Sequence, residues 1–297
     1  MNGKTDVDIA ILGHFARDRI IVRGEARMAS GGAVYYGSIA LRRLGFRVAV
    51  ITRLHPDDFP WLEEMKQAGV VVYASPAEAT SGIENVYTTP DMDRRTCRLL
   101  GFAGLFRPEE IPDELTARTI LVGPIIAGEV DLPLLRQLAR RAPIALDVQG
   151  FVRVPEGDDL VTRDWSEKEE GLALVRVLKV DMAEAEVLTG LTDPHRALEA
   201  LATYGPREIV LTRAEGVLVY ADGAFHEAPF RPRVLRGRTG RGDTTFASYL
   251  AWRLRADPAE ATRFAAAVAS LKMEAPGPFQ GSLEDVLAAL EQTELPL

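Results

Sequence analysis

Residues 237–254 read GRTGRGDTTFASYLAWRL, and the first eight of them set a problem. Gly237 and Gly242, with a hydroxyl residue at Thr244, have nearly the spacing of a phosphate-cradling P-loop, yet Asp243 stands where that loop needs its lysine. A carboxylate there would set negative charge against a bound phosphate. The dinucleotide fingerprint G-x-G-x-x-G is spaced differently and opens the first strand-to-helix turn of a domain, not one so late in the chain. A third reading keeps the glycines and gives the aspartate other work. Gly240 and Gly242 let backbone N–H groups converge at the start of a helix beginning near Asp243, which makes an anion hole reinforced by the helix dipole. A carboxylate in that first turn is kept ionised by the same dipole and can take a proton from a substrate hydroxyl. Base and anion hole together are what phosphoryl transfer to an alcohol requires. The plain alternative is that Asp243 only caps the helix.

Outward from this stretch, short apolar runs alternate with longer helical ones. Residues 7–13, 46–52, 119–125, 143–148, 175–180 and 208–212 are continuous apolar runs of the kind that form buried strands. Between them, 33–45, 60–69, 131–142 and 183–190 carry apolar residues at helical spacing, several closed by glycine. Strand, helix, strand in series predicts a three-layer αβα fold of the α/β class, a mostly parallel sheet with helices on both faces. Ligands of such sheets bind beyond the carboxyl ends of the strands. Residues 83–101 read as two strands around the polar turn PDMD, a small β-hairpin lid with contributions from about 14–30. A second hairpin, 217–230, turns at Asp222-Gly223, and after Asp243 the chain is almost wholly helical. No repeat or long linker divides it, so a single domain over 1–297 is expected.

Composition narrows the partners. Of 297 residues, 47% are hydrophobic and 26% charged, as in an ordinary globular protein. The formal net charge of −8 supplies no field favouring nucleic acid or anionic lipid. Cys97 stands alone, so no internal disulfide can form, and no Cys/His cluster has metal-ligand spacing. No secretion signal and no apolar stretch of about 18 residues is visible, so the expectation is a cytoplasmic protein with neither membrane nor nucleic acid as partner.

RTGRGDTTFASYLAWRL resembles the signature of the ribokinase-like carbohydrate kinases, the phosphofructokinase-B (PfkB) family, whose usual form is D-T-x-G-x-G-D before an apolar helix. GGAVYYGSIALRRLGFRVAVITRLHPDDF (31–59) is similar to the family's G-G-x-x-x-N-x-A-x-x-x-x-x-L-G opening. ILGHFARD (11–18) resembles its first strand and substrate-binding Asp, VDMAEAEVLTG (180–190) its N-x-x-E segment, and IVLTRAEGVLVY (209–220) its T-x-G-x-x-G nucleotide segment. The likeness runs from residue 8 to residue 290 or so.

The resemblance implies that Asp243 is the general base and that Gly240, Arg241 and Gly242 line the anion hole. It implies that Glu184 helps to organise Mg2+ and its waters, joined by Asp147 and by Asp181, which stands in place of the usual asparagine. Thr212 and Gly216 match the nucleotide segment, here one residue short and without its middle glycine, and Ala266 and Ala269 are small enough to admit adenine, so ATP is the implied donor. Asp18, Gly31 and Gly32 match positions that hold sugar hydroxyls, while Tyr36 replaces an asparagine and suits a ring-stacking or bulkier acceptor. Asn85, Arg94 and Arg95 on the lid could reach it. Asp147 and Gln149, with Arg153 farther on, resemble the plant myo-inositol kinase branch. Gly237 replaces an Asp that relatives link to a monovalent-cation site, which speaks against potassium activation.

The implied protein is an ATP-dependent, Mg2+-assisted kinase of a sugar, polyol or nucleoside hydroxyl, for which the family analogy allows a homodimer through the lid. The alternatives are a nucleoside or sugar-phosphate kinase of the same family, the latter with Arg17, Arg94 and Arg95 as a basic pocket, and a non-catalytic ligand-sensing relative. Retention of Asp243 and Glu184 argues against the last.

Overall fold

The continuous apolar runs of the sequence become strands buried on both faces, as a parallel sheet between helices requires. The computed structural model describes residues 5–22, 24–87 and 95–294. In chain order the elements begin with β1 (Thr5–Leu12), β2 (Ala16–Val22), β3 (Glu25–Gly31), α1 (Ala33–Arg43), β4 (Val48–Leu54), α2 (Glu63–Gln67), β5 (Val71–Pro76), β6 (Gly82–Tyr87) and β7 (Arg95–Gly101). They continue with β8 (Leu115–Val122), α3 (Leu132–Ala139), β9 (Ile144–Asp147), α4 (Gln149–Val152), β10 (Arg153–Glu156), β11 (Asp159–Thr162), α5 (Lys168–Leu172), β12 (Val175–Asp181) and α6 (Met182–Thr189). The rest comprises α7 (Pro194–Ala202), β13 (Glu208–Thr212), β14 (Gly216–Ala221), β15 (Ala224–Pro229), α8 (Arg241–Arg253), α9 (Pro258–Met273) and α10 (Leu283–Glu294).

Nine strands form the main sheet in the order β15-β14-β13-β12-β9-β8-β1-β4-β5. Every pairing from β13 to β5 is parallel. β14 and β15 extend it antiparallel as the expected hairpin, with Asp222 and Gly223 both at positive φ as a mirror-type two-residue turn needs. Side chains of β1 divide the core: Ile9 and Ile11 pack with Phe246 of α8 and Phe264 of α9, whereas Ala10 and Leu12 pack with Leu135 of α3 and Leu198 of α7. The three-layer αβα reading holds.

A second sheet of six strands, β10-β11-β7-β6-β2-β3, stands over the carboxyl ends of the first. It contains the two strands expected within 83–101, two more from the 14–30 region expected to contribute to the lid, and also the β10–β11 hairpin, whose run RVPEGDDLVT is too polar to read as a strand pair. The PDMD turn and Arg94 lie outside the described residues. A small apolar cluster, Ala16, Ile83, Ile125 and Ile126, packs where the two sheets meet. β5 is half exposed at the sheet edge, and so has no continuous apolar run to announce it. α7 carried a usable signal: Asp193 caps Arg196 N–H and Pro194 opens the helix.

Candidate active site

Parallel register brings charge together at the carboxyl ends of β9, β12 and β13. Lys179 pairs across the ladder with Asp147, and Asp181 with Thr212. The Lys179 side chain is buried, its ammonium 3.1 Å from Asp147 Oδ1 and 3.4 Å from Glu184 Oε2. Burial opposes the charge, but Asp147, Glu184 and Asp181 outweigh it, and the lysine stays protonated with a pKa above its ordinary value. Burial raises Glu184, with Lys179 pulling the other way. Glu184 is further engaged in a reciprocal cap at the start of α6: it accepts from Asp181 N–H at 2.7 Å, and Asp181 accepts from Glu184 N–H at 2.8 Å.

The glycine turn stands across from this group. Gly240 has φ 79° at the N-terminus of α8, and a Cβ there would enter the ring of Tyr36, which lies directly against it. Both facts demand glycine. Arg241 N–H donates to Arg238 O at 3.1 Å and helical bonding resumes with Thr244 N–H to Gly240 O at 3.0 Å. Between them, the N–H groups of Gly242 and Asp243 have no backbone acceptor among the described residues, as expected of a helix's second and third positions. The backbone donors left open to an anion are therefore these two rather than the Arg241 N–H. Space above Gly242 is open: a Cβ added there would have Lys179 Cε at 3.8 Å and Thr212 Oγ1 at 4.0 Å as its nearest neighbours.

Asp243 is the third residue of α8, whose cap position is held by Gly240, a residue with no side chain to cap with. The helix end alone would favour the ionised form. Burial, with Asp147 and Asp18 adding and Lys179 opposing, instead raises its carboxyl to about 6. A group poised there is mostly ionised at neutral pH and is a stronger base than an ordinary aspartate.

A cavity of about 390 Å3 joins these parts. Of the residues singled out in the sequence it is lined by Asp18, Gly32, Tyr36, Asn85, Asp147, Gln149, Arg153, Asp181, Thr212, Gly240, Arg241, Gly242 and Asp243. Others lie elsewhere. Gly31 is packed behind the Asp18 carboxylate, Glu184 sits behind Lys179, and Gly216 is held against Ala228 of β15. Ala266 lines a separate cavity of about 880 Å3 between β15, α9 and α10, and Ala269 is fully buried and does not line it. Arg17, offered for a basic acceptor pocket, is instead paired with Asp58 and lies over the Trp61 ring. The side chain of Arg95 is outside the described residues.

The reading of Asp147, Asp181 and Glu184 as Mg2+ holders changes form. Among the described residues no group of three His, Cys, Asp or Glu side chains could hold an ion. Lys179 occupies the centre that Asp147 and Glu184 share. Only Asp147 and Asp181 face the cavity, a donor set that fits a hydrated ion carried by donor phosphates and not an all-protein cage. Sequence reasoning missed Lys179 and Arg238, both on the cavity wall. For Lys179 a signal existed, a lysine inside the otherwise apolar run VRVLKV.

A doubly wound sheet whose late glycine turn sets free N–H donors beside a carboxylate, at the carboxyl ends of the strands, is the framework of a phosphotransferase acting on a hydroxyl. The chain belongs to the pfkB family of carbohydrate kinases, whose family profile matches residues 7–285. It is 28% identical over 266 residues to a cytidine kinase of Thermococcus kodakarensis, covering 86% of this chain and 91% of that one. Its structure resembles that of a pyrophosphate-dependent kinase in the ribokinase family complexed with a pyrophosphate analog and myo-inositol, with TM-score 0.87 and 36% identity over 94% of this chain and 99% of that one. An Arabidopsis thaliana ribokinase complexed with ribose and ATP shares the fold, with TM-score 0.76, 19% identity and coverage of 97% and 99%.

Three outcomes are expected of this geometry. Gly240→Ala, which puts a methyl into Tyr36 at a left-handed position, should lower turnover by about 10²-fold, the cost of misplacing anion-hole donors, as steady-state rates will read. Lys179→Met leaves Asp147 and Glu184 buried without their cation and should cost about 3 kcal/mol of stability in denaturant unfolding. For Asp243 the two signs are opposite. With Asp243 as general base, turnover would need the ionised form, so kcat/KM should fall as pH drops through about 6. Stability behaves otherwise: because the folded pKa lies above the ordinary 3.8, the contribution is full at low pH and is lost as pH rises through 6. Asp243→Asn should accordingly abolish the acid limb with the activity, yet stabilise the fold at pH 8 by up to about 3 kcal/mol, read as a higher melting temperature.

Proposed function

We propose that this protein transfers a phosphoryl group from pyrophosphate to a hydroxyl of a cyclic polyol of the myo-inositol class. The observation that carries the donor choice is the course of Arg241. Its guanidinium stands 5.3 Å from the Phe230 ring and donates to Ala214 O at 3.4 Å, so it spans from the glycine turn to the short β13–β14 turn. On this reading the side chain bars the way from the anion hole toward the Ala266-lined cavity, which a nucleoside would have to take. A donor without a nucleoside needs no such passage. Lys179, Arg238 and Arg241 set three cations on this side of the cavity, suited to a compact polyanion.

The acceptor side supports a neutral, hydroxyl-rich ring. Asp18, Asn85, Gln149 and Arg153 offer both donors and acceptors there, and Arg17 is engaged with Asp58, which weakens the sugar-phosphate reading. In the proposed mechanism Asp243 takes the hydroxyl proton, the oxygen attacks the terminal phosphorus, and the P–O bond to the leaving phosphate breaks. The Gly242 and Asp243 N–H groups and Lys179 hold the charge on the transferred group. Mg2+ held by the donor phosphates near Asp147 and Asp181 would neutralise further charge. The 36% identity to the pyrophosphate-dependent kinase complexed with myo-inositol accords with both choices.

ATP is the second reading, favoured by the cavity of about 880 Å3 beside Ala266, ample for a purine. Product formation over pyrophosphate and ATP, each with inositols, hexoses, ribose and cytidine, separates the two. The expected outcome is turnover of myo-inositol or a close relative with pyrophosphate, and a shift toward ATP in Arg241→Gly. A wild type that uses ATP at the greater kcat/KM overturns the donor assignment, preference for cytidine overturns the acceptor class, and absence of product from every pair supports the ligand-sensing alternative.

A further inference from the structure

Lys272, near the end of α9, is buried at 1% exposure. Its ammonium donates to Gly237 O at 2.9 Å and to Thr239 O at 2.5 Å, and stands 5.4 Å from the centre of the Tyr36 ring. The loop supplying those carbonyls runs directly into Gly240. It is also pinned to the end of α9 by its backbone, with the N–H groups of Arg236 and Gly237 donating to Met273 O. Backbone carbonyls and an aromatic face, closely grouped around a single positive charge, form the environment in which an alkali cation is otherwise held.

Position 237 lacks a side chain for a physical reason. A Cβ there would run into Ala275 O and come within 2.9 Å of both Ala275 C and Pro276 Cα. No carboxylate can be added at that point without moving the 275–276 backbone.

We propose that the Lys272 ammonium is a tethered replacement for a monovalent cation, a positioning residue that holds the Gly237 and Thr239 carbonyls and so fixes the Gly240 turn. Phosphoryl transfer by this protein then needs no potassium. The geometry gives the means. In a trans peptide the C=O and N–H point oppositely, so turning Thr239 O toward Lys272 turns Gly240 N–H to the other side. The φ of 79° at Gly240 that starts α8 is thereby set from one end by the ammonium and from the other by the Tyr36 ring. A cavity of about 620 Å3, lined by Lys272, Gly237, Thr239 and Tyr36, reaches the same group from the outer side and would admit an ion if the ammonium were removed.

The inference rests on reading the Gly240 turn as the anion hole, and its test keeps the two apart. Wild type and Lys272→Met are compared in potassium, ammonium and tetramethylammonium chloride, by steady-state turnover and by melting temperature. Wild type should be indifferent to the salt in both measurements. Lys272→Met should lose about 10²-fold in kcat in tetramethylammonium, with the acceptor KM little changed, as displaced catalytic donors cost. Potassium or ammonium should restore most of that rate, and should raise the melting temperature of the variant alone. If Lys272→Met does not fold, Lys272→Gln, which keeps a neutral donor for the carbonyls, is expected to fold and to show the same ion response. Potassium activation of the wild type, or a folded variant that no monovalent cation restores or stabilises, overturns the proposal. Should no donor and acceptor pair react, the proposed reaction fails, while the salt response of the melting temperature still decides the role of Lys272.

Discussion

The buried ammonium of Lys179 is the constraint around which the rest of the carboxyl edge is arranged. A lone charge in that position would be untenable, and two carboxylates from different elements, Asp147 on β9 and Glu184 on α6, make it tenable. Their positions are not independent. Parallel pairing of β9 with β12 puts Asp147 beside Lys179, and the reciprocal cap with Asp181 points Glu184 back at it. An electrostatic requirement therefore sets the relative height of two strands and the start of a helix, and the same geometry leaves Asp181 and Thr212 on the cavity wall.

The raised carboxyl of Asp243 follows from the same arrangement. Its neighbours include Asp147 and Asp18 as well as Lys179, so the field at that point is mixed, and burial decides the direction. A carboxyl kept from water beside other acids becomes more basic, at a cost in stability that the rest of the fold absorbs. Tyr36 belongs to this arrangement in a way its position in the chain did not suggest. Besides lining the cavity, its ring lies against the Gly240 turn and stands near the Lys272 ammonium.

What the sequence revealed and what it hid divide along a physical line. Strands buried on both faces are continuous apolar runs, and β1, β4, β8, β9, β12 and β13 were all visible; β5, at an edge, and the β10–β11 hairpin, in the polar second sheet, were not. Residues that matter through their own backbone, such as Gly240 and Gly242, were legible because motif spacing records backbone geometry directly. Lys179 and Lys272 were hidden because their meaning lies in partners 32 and about 35 positions away, reachable only through sheet register and helix packing. Ala266 and Ala269 show the same limit on a smaller scale: composition cannot say which side of α9 faces a cavity.

The two sheets also divide the labour of recognition. Asp18, Ile83 and Asn85 come from the second sheet, and Arg153 opens its β10 strand directly after the short α4 turn that follows Asp147. The glycine turn, Lys179 and Thr212 belong to the main sheet and its helix α8. The cavity is thus lined from two sheets between which the chain passes repeatedly, residues 147–153 being one of the crossings. Under the proposed function, changes of side chain in the upper surface would redirect the protein toward a new alcohol while the residues of the main sheet and α8 are left as they were, so diversification of substrate need not bring loss of chemistry.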